Sequence, residues 1–184
     1  MGKSRQAEHQ ALIGWLLEQV AEHSVDAVLI AGDIFDTGTP PSYARELYSQ
    51  LVVRLHEAGV TLLLLGGNHD SPATLGESRE LLARLGTTVI AATHADPASQ
   101  VVVLAQRDGT PGCIVAAVPF VRPRDVLQSQ AGQSAEDKQL SLQQAIQQHY
   151  QTVDAAARAT MAELGVTLPV VATGGYAKLI AAKL

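Results

Sequence analysis

The sequence predicts an α/β fold of mixed sheets flanked by helices. Three observations carry the prediction. Apolar-rich runs at 27–31 and 60–65 hold no charge and each lead into glycine, as strands buried on both faces of a parallel sheet do. Segments of helical period precede and separate these runs, an alternation that builds a parallel sheet with helices on both faces. Beyond His94, two further runs at 100–105 and 113–118 lie close enough to form a hairpin, which turns the sheet mixed.

Over 4–23, Leu12, Ile13, Trp15, Leu16 and Val20 recur near the three-and-four spacing of an amphipathic helix, with Trp15 expected to anchor it in the core. The strand at 27–31 ends on Gly32-Asp33, and turn residues fill 36–41. Ser42 is placed to cap the next helix, which runs to about Ala58, and Gly59 stands where a left-handed residue ends it. After the strand at 60–65, Ser71-Pro72 has the chemistry of a helix start, and Gly86 closes that helix before a strand at 87–91. Residues 107–112 supply the hairpin turn. The two prolines of 119–123 remove backbone donors and hold a loop extended. Residues 128–137 read as weakly structured, followed by a helix at 136–164 closed by Gly165 and a strand at 168–173. The glutamine-rich face of that helix reads as solvated, and His9, His23, His56, His94 and His149 as solvent-facing.

A length of 184 residues with 47% hydrophobic and 17% charged residues suffices for one domain with a buried core and excludes a disordered chain. The single cysteine, Cys113, excludes an intramolecular disulfide and a cysteine zinc cluster, which fits the cytoplasm. A net charge of −5 gives no bulk attraction to nucleic acid, so DNA binding has to rest on a local site. The purely apolar stretches, 62–65 and 114–118 among them, fall far short of the ~20 residues that span a bilayer. Polar residues follow Met1 to Arg5 where an export signal would be apolar, so no membrane association is expected.

The chemistry lies in two short motifs. Gly32-Asp33-Ile34-Phe35-Asp36 follows the first predicted strand, and Gly66-Gly67-Asn68-His69-Asp70 follows the second. Both belong to the carboxyl edge of a parallel sheet, where α/β folds bind ligands. A carboxylate at Asp33 can bridge two divalent cations, and the Asn68 amide oxygen is a hard neutral ligand. His69 is placed to protonate a leaving alkoxide or stabilise a charged transition state. Asp36 and Asp70 then orient His69 and the ligands. Either motif alone is an ordinary turn; the two in one register point to a metal site. Arg122 and Arg124 are candidates for phosphate contact, weighed against exposed loop arginines with no specific role.

Strand-ending GD and GNHD motifs resemble those of the calcineurin-like metallophosphoesterases. The runs 5–10, 31–47, 66–71 and 119–127 extend the resemblance to the bacterial SbcD family of nuclease subunits, over about 3–173. The resemblance implies a nuclease with two Mn²⁺ ions per active site, a double-strand 3′–5′ exonuclease and single-strand and hairpin endonuclease of DNA repair, recombination and replication. It implies an SbcC-type coiled-coil ATPase subunit and an SbcD-type homodimer as partners. Asp33 matches the metal-bridging aspartate, Asn68 a metal ligand and His69 the catalytic histidine. The family pattern also has a first strand ending in Asp-x-His, and a Gly-His where this chain reads Gly174-Gly175-Tyr176. A later Gly-His-x-His motif and a DNA-capping domain complete it. The expectation is therefore an incomplete metallophosphoesterase domain at 1–173 with a divergent tail at 174–184, an exposed sheet edge, one Mn²⁺ or none, and impaired activity. A phosphoesterase acting on small phosphodiesters or nucleotides, or a non-catalytic remnant, are the alternatives.

Overall fold

The computed structural model describes residues 5–127 and 134–173. The weakly structured reading of 128–133 and the divergent tail at 174–184 lie outside the described residues.

Helix α1 (Gln6–Glu22), strand β1 (Ala27–Ala31), helix α2 (Ser42–Glu57), strand β2 (Thr61–Leu65), the short helices α3 (Pro72–Gly76) and α4 (Arg79–Arg84) and strand β3 (Thr87–Ile90) follow one another. The three strands form a parallel sheet in the order β1-β2-β3, with Ala27 opposite Thr61 and Leu62 opposite Thr87. After a 3₁₀ turn at Pro97–Gln100, β4 (Val101–Ala105) and β5 (Pro111–Ala116) make the expected antiparallel hairpin. Helices α5 (Pro123–Val126) and α6 (Ala135–Leu164) lead to β6 (Val170–Ala172), which pairs parallel to β5.

The hairpin does not extend the first sheet, as the sequence suggests; it founds a second one, ordered β4-β5-β6. The reason lies in the alternation of side chains. Leu62 and Leu64 of β2 face a core shared with Val20, Leu51, Val52 and Leu55, whereas Leu63 and Leu65 face Leu104 and Val115 of the second sheet. On β5, Ile114 and Ala116 point to Ile146, Tyr150, Val153 and Ala157 of α6, and Val115 points back to the first sheet. The layers run helix, sheet, sheet, helix. One face of each sheet is thus covered by the other sheet rather than by a helix.

Three further expectations are corrected. Strand β1 is only half-buried rather than buried on both faces, because it is an edge strand while β2 sits centrally between two partners. Trp15 is 54% exposed beside Leu12 at 59%. The stripe that meets the core is Ile13, Leu16, Leu17 and Val20, at helical spacing, which turns Leu12 and Trp15 outward. His149 is not solvent-facing: it shares a face of α6 with Ile146, Tyr150 and Val153, and its Nε2 lies 3.2 Å from Oε1 of the fully buried Gln100.

Helix starts differ in detail. Pro41 occupies the cap of α2, its carbonyl accepting from Ala44 and Arg45 N–H, and Ser42 is the first helical residue. Ser71 does cap α3 through its hydroxyl, with Pro72 in the first turn, but the helix expected to continue to Gly86 breaks after Gly76 into α3 and α4. Ser134 caps α6, so 135–137 are helical rather than weakly structured. Gln139, Gln143, Gln144, Gln148 and Gln151 are exposed on its outer face, as expected.

Candidate metal centre

Because β1 and β2 are parallel neighbours in register, their carboxyl ends deliver residues 32–36 and 66–70 side by side. Gly32 at φ +103° and Asp33 at φ +48° turn the chain back at the strand end, in the left-handed region that glycine and aspartate tolerate best. The Asp33 carboxylate then reaches the second motif, where Oδ1 accepts from the His69 main-chain N–H at 3.2 Å. A side chain at Gly67 would collide with both the carboxylate and the main-chain nitrogen of Asp33. Only glycine lets the two turns pack this closely.

Asp70 holds the turns together. It is 3% exposed, and its carboxylate accepts from the main-chain N–H groups of Gly67 (2.8 Å), Ile34 (3.0 Å) and Phe35 (2.9 Å). Its bonds go to the backbone of both motifs, so the expected orienting of His69 and the ligands by Asp70 would run through the main chain of the turns. The partner of His69 is Asp36, through its main-chain carbonyl rather than its carboxylate. His69 Nδ1 lies 3.0 Å from that oxygen. A carbonyl can only accept, so Nδ1 carries the hydrogen and Nε2 is the nitrogen left to act.

The third wall comes from the second sheet. Phe120 N–H donates to Gly66 O at 2.8 Å, and Arg122 Nη2 donates to Gly67 O at 3.2 Å and Asp70 O at 3.0 Å. Arg122 therefore grips the GNHD turn, a role that sequence reasoning missed. Its flanking prolines were the available signal, since they hold residues 119–123 extended across the sheet edge. Arg124 stays exposed, with its Nε 3.7 Å from Asp125.

A crevice of about 160 Å³ remains between these walls, lined by Gly32, Asp33, Gly67, Asn68, Pro119 and Phe120 among others. Asp33, Asn68 and His69 are all exposed, so the structure brings the predicted bridge, ligand and acid to one edge. Asp33 and Asn68 offer hard oxygen donors to this crevice, a chemistry suited to Mg²⁺, Ca²⁺ or Mn²⁺. Among the described residues, no cluster of three or more His, Cys, Asp or Glu side chains could hold an ion. The donors present fit part of one coordination shell.

No helix among the described residues is long and apolar enough to cross a membrane. Residues 7–124 match the family described as calcineurin-like phosphoesterase. The chain is 49% identical over 181 residues to an Escherichia coli K12 protein named as the D component of the nuclease SbcCD, covering 98% of this chain and 44% of that protein. It is 35% identical over 133 residues to the Rhodobacter capsulatus protein of the same name, covering 68% of this chain and 33% of that one. Over 65 residues it is 34% identical to the DNA double-strand break repair protein Mre11 of Methanocaldococcus jannaschii, covering 35% of this chain and 18% of that one. The chain spans less than half the length of these relatives.

Proposed function

We propose that this chain, which belongs to the calcineurin-like phosphoesterase family, is part of a DNA nuclease subunit that hydrolyses phosphodiester bonds with Mn²⁺. Membership of the family implies dependence on a divalent metal; manganese is our choice among the hard cations. The observation that carries the reading is the convergence of Asp33, Asn68 and His69 on one sheet edge, from two turns that Asp70 staples together.

A bound divalent ion supplies Lewis acidity toward a phosphoryl oxygen and acidifies an attacking water. The Asp33 carboxylate and the Asn68 amide oxygen would hold it. His69, kept in the Nδ1–H tautomer by Asp36, presents Nε2 outward, where in its protonated form it can give a proton to the leaving alkoxide. Phe120 walls one side of the crevice.

The substrate we assign is DNA, cut as duplex ends, single strands and hairpins in repair, recombination and replication. An SbcC-type ATPase subunit and a second copy of the nuclease subunit are the partners, in the cytoplasm. The test is a chimera in which residues 5–173 replace the matching segment of the E. coli relative. Mn²⁺-dependent cleavage of blunt duplex DNA that exceeds turnover of bis-p-nitrophenyl phosphate supports the reading. A preference for the small diester would mark a small-molecule phosphoesterase, and a chimera as inert as its Asp33→Ala variant would mark a non-catalytic remnant.

A further inference from the structure

We infer that Arg122 is a positioning residue for Asn68 and His69, an inference that deepens and rests on the metal-site reading above. One nitrogen, Nη2, donates to the carbonyls of Gly67 and Asp70, the residues that bracket Asn68-His69 on either side. The Gly67 carbonyl belongs to the planar peptide that leads into Asn68, so fixing its direction fixes the plane from which the Asn68 side chain departs. The Asp70 carbonyl fixes the far end of the same turn in the same way. Between the two anchors, Asn68 and His69 are exposed; the His69 ring also meets the Asp36 carbonyl at 3.0 Å, and the main chain of the turn sets where both side chains start from.

The clamp is itself held. Arg122 follows β5 on the strap that Phe120 N–H ties to Gly66 O at 2.8 Å, and its guanidinium carbon lies 5.8 Å from the Phe120 ring centroid, within cation–π range. Nη1 is buried and has no hydrogen-bond partner among the described residues. Two main-chain carbonyls, not a carboxylate, compensate this partly desolvated cation. That arrangement is a costly way to stabilise a loop and an effective way to aim one, because a planar, always-charged fork loses little freedom per bond formed. It also couples the GNHD turn of the first sheet to the second sheet, so the direction of Asn68 depends on how the sheets are packed.

The experiment follows the Asn68 side-chain amide and the His69 imidazole by ¹⁵N NMR in this chain, metal-free and then titrated with Mn²⁺ alone. Arg122→Met keeps the bulk and removes the donors, whereas Arg122→Lys keeps a charge and three donors on a shorter stem. Val60→Ala, in the first core at the amino end of β2 and so at the opposite end of that strand from the turn, controls for general destabilisation. Arg122→Met should move both signals and weaken Mn²⁺ binding about tenfold or more, as loss of a group that orients a ligand does. Arg122→Lys should fall between Arg122→Met and the unsubstituted chain, and Val60→Ala should leave both signals in place. The inference is overturned if Arg122→Met leaves Asn68 and His69 where they were, or if Val60→Ala moves them equally. Should Arg122→Met fail to fold, Arg122→Lys carries the test: signals identical to the unsubstituted chain, or no different from those of Val60→Ala, overturn the inference. If Mn²⁺ broadens no signal near Asn68 in the unsubstituted chain, the metal reading fails, while the metal-free shifts still decide the positioning role.

Discussion

The Asp70 carboxylate accepts a hydrogen bond from the Phe35 main-chain N–H at 2.9 Å, across 35 positions of sequence. With the bonds from Ile34 and Gly67, this one side chain satisfies three backbone donors in two different turns. Asp70→Ala strands those donors and should lower stability by about 3 kcal/mol, since bonds to a charged acceptor are the strong ones. Asp70→Asn keeps one acceptor oxygen and should lose about half as much. Urea denaturation of the three proteins measures both; equal stabilities would deny the staple.

Asp33 and His69 should separate on substitution. Asp33→Ala removes the expected bridging ligand and should abolish Mn²⁺ binding in calorimetry. His69→Ala should leave that binding intact and, in the chimera, slow phosphodiester hydrolysis by about 10²–10⁴-fold, the size of a lost general acid. Metal loss in His69→Ala, or full turnover in Asp33→Ala, would reverse the two roles.

Gly67 is the contact point between the turns. In Gly67→Ala the new methyl group meets the Asp33 carboxylate and main-chain nitrogen, and backbone cannot swing aside as a flexible side chain can. A loss of about 1–3 kcal/mol is expected, together with loss of Mn²⁺ binding as Asp33 is displaced. Unchanged affinity in Gly67→Ala would mean that Asp33 does not act from this position.

His149 gives the fold an acid-sensitive joint. Burial holds its imidazole below the ordinary value of 6.5, with Asp125 opposing the shift. The unfolded chain therefore takes up the proton first as pH falls. The contribution is complete above pH 6.5 and is lost as pH drops through the lower, folded value. His149→Gln keeps a donor toward Gln100 and cannot titrate. Its urea midpoint should fall less than that of the unsubstituted chain between about pH 7 and pH 5, the window in which histidine changes charge. Parallel profiles would show that His149 does not report on the joint between α6 and the 3₁₀ turn.

The sequence by itself determined the elements and the two motifs, because these are local. Glycines closing apolar runs mark the ends of β1 and β2, and a parallel crossover puts both ends on one edge, so Asp33, Asn68 and His69 were legible as a set. What covers each sheet face was not legible: Leu62 to Leu65 are apolar on both sides of the strand, and an apolar face does not say whether a helix or a second sheet meets it. Edge position is likewise a property of strand order, so β1, as apolar as β2, could not show that among the described residues it pairs on one side only. Trp15 lies outside the core because Ile13, Leu16, Leu17 and Val20 form the stripe that meets it. Asp70 is expected to orient His69 and the ligands and Arg122 is a candidate for phosphate contact, but only the tertiary structure decided that one staples the two turns and the other clamps the second of them. Their partners are main-chain groups as far as 55 residues away, and hydrogen bonds to backbone leave no trace in the identity of the residues that supply it.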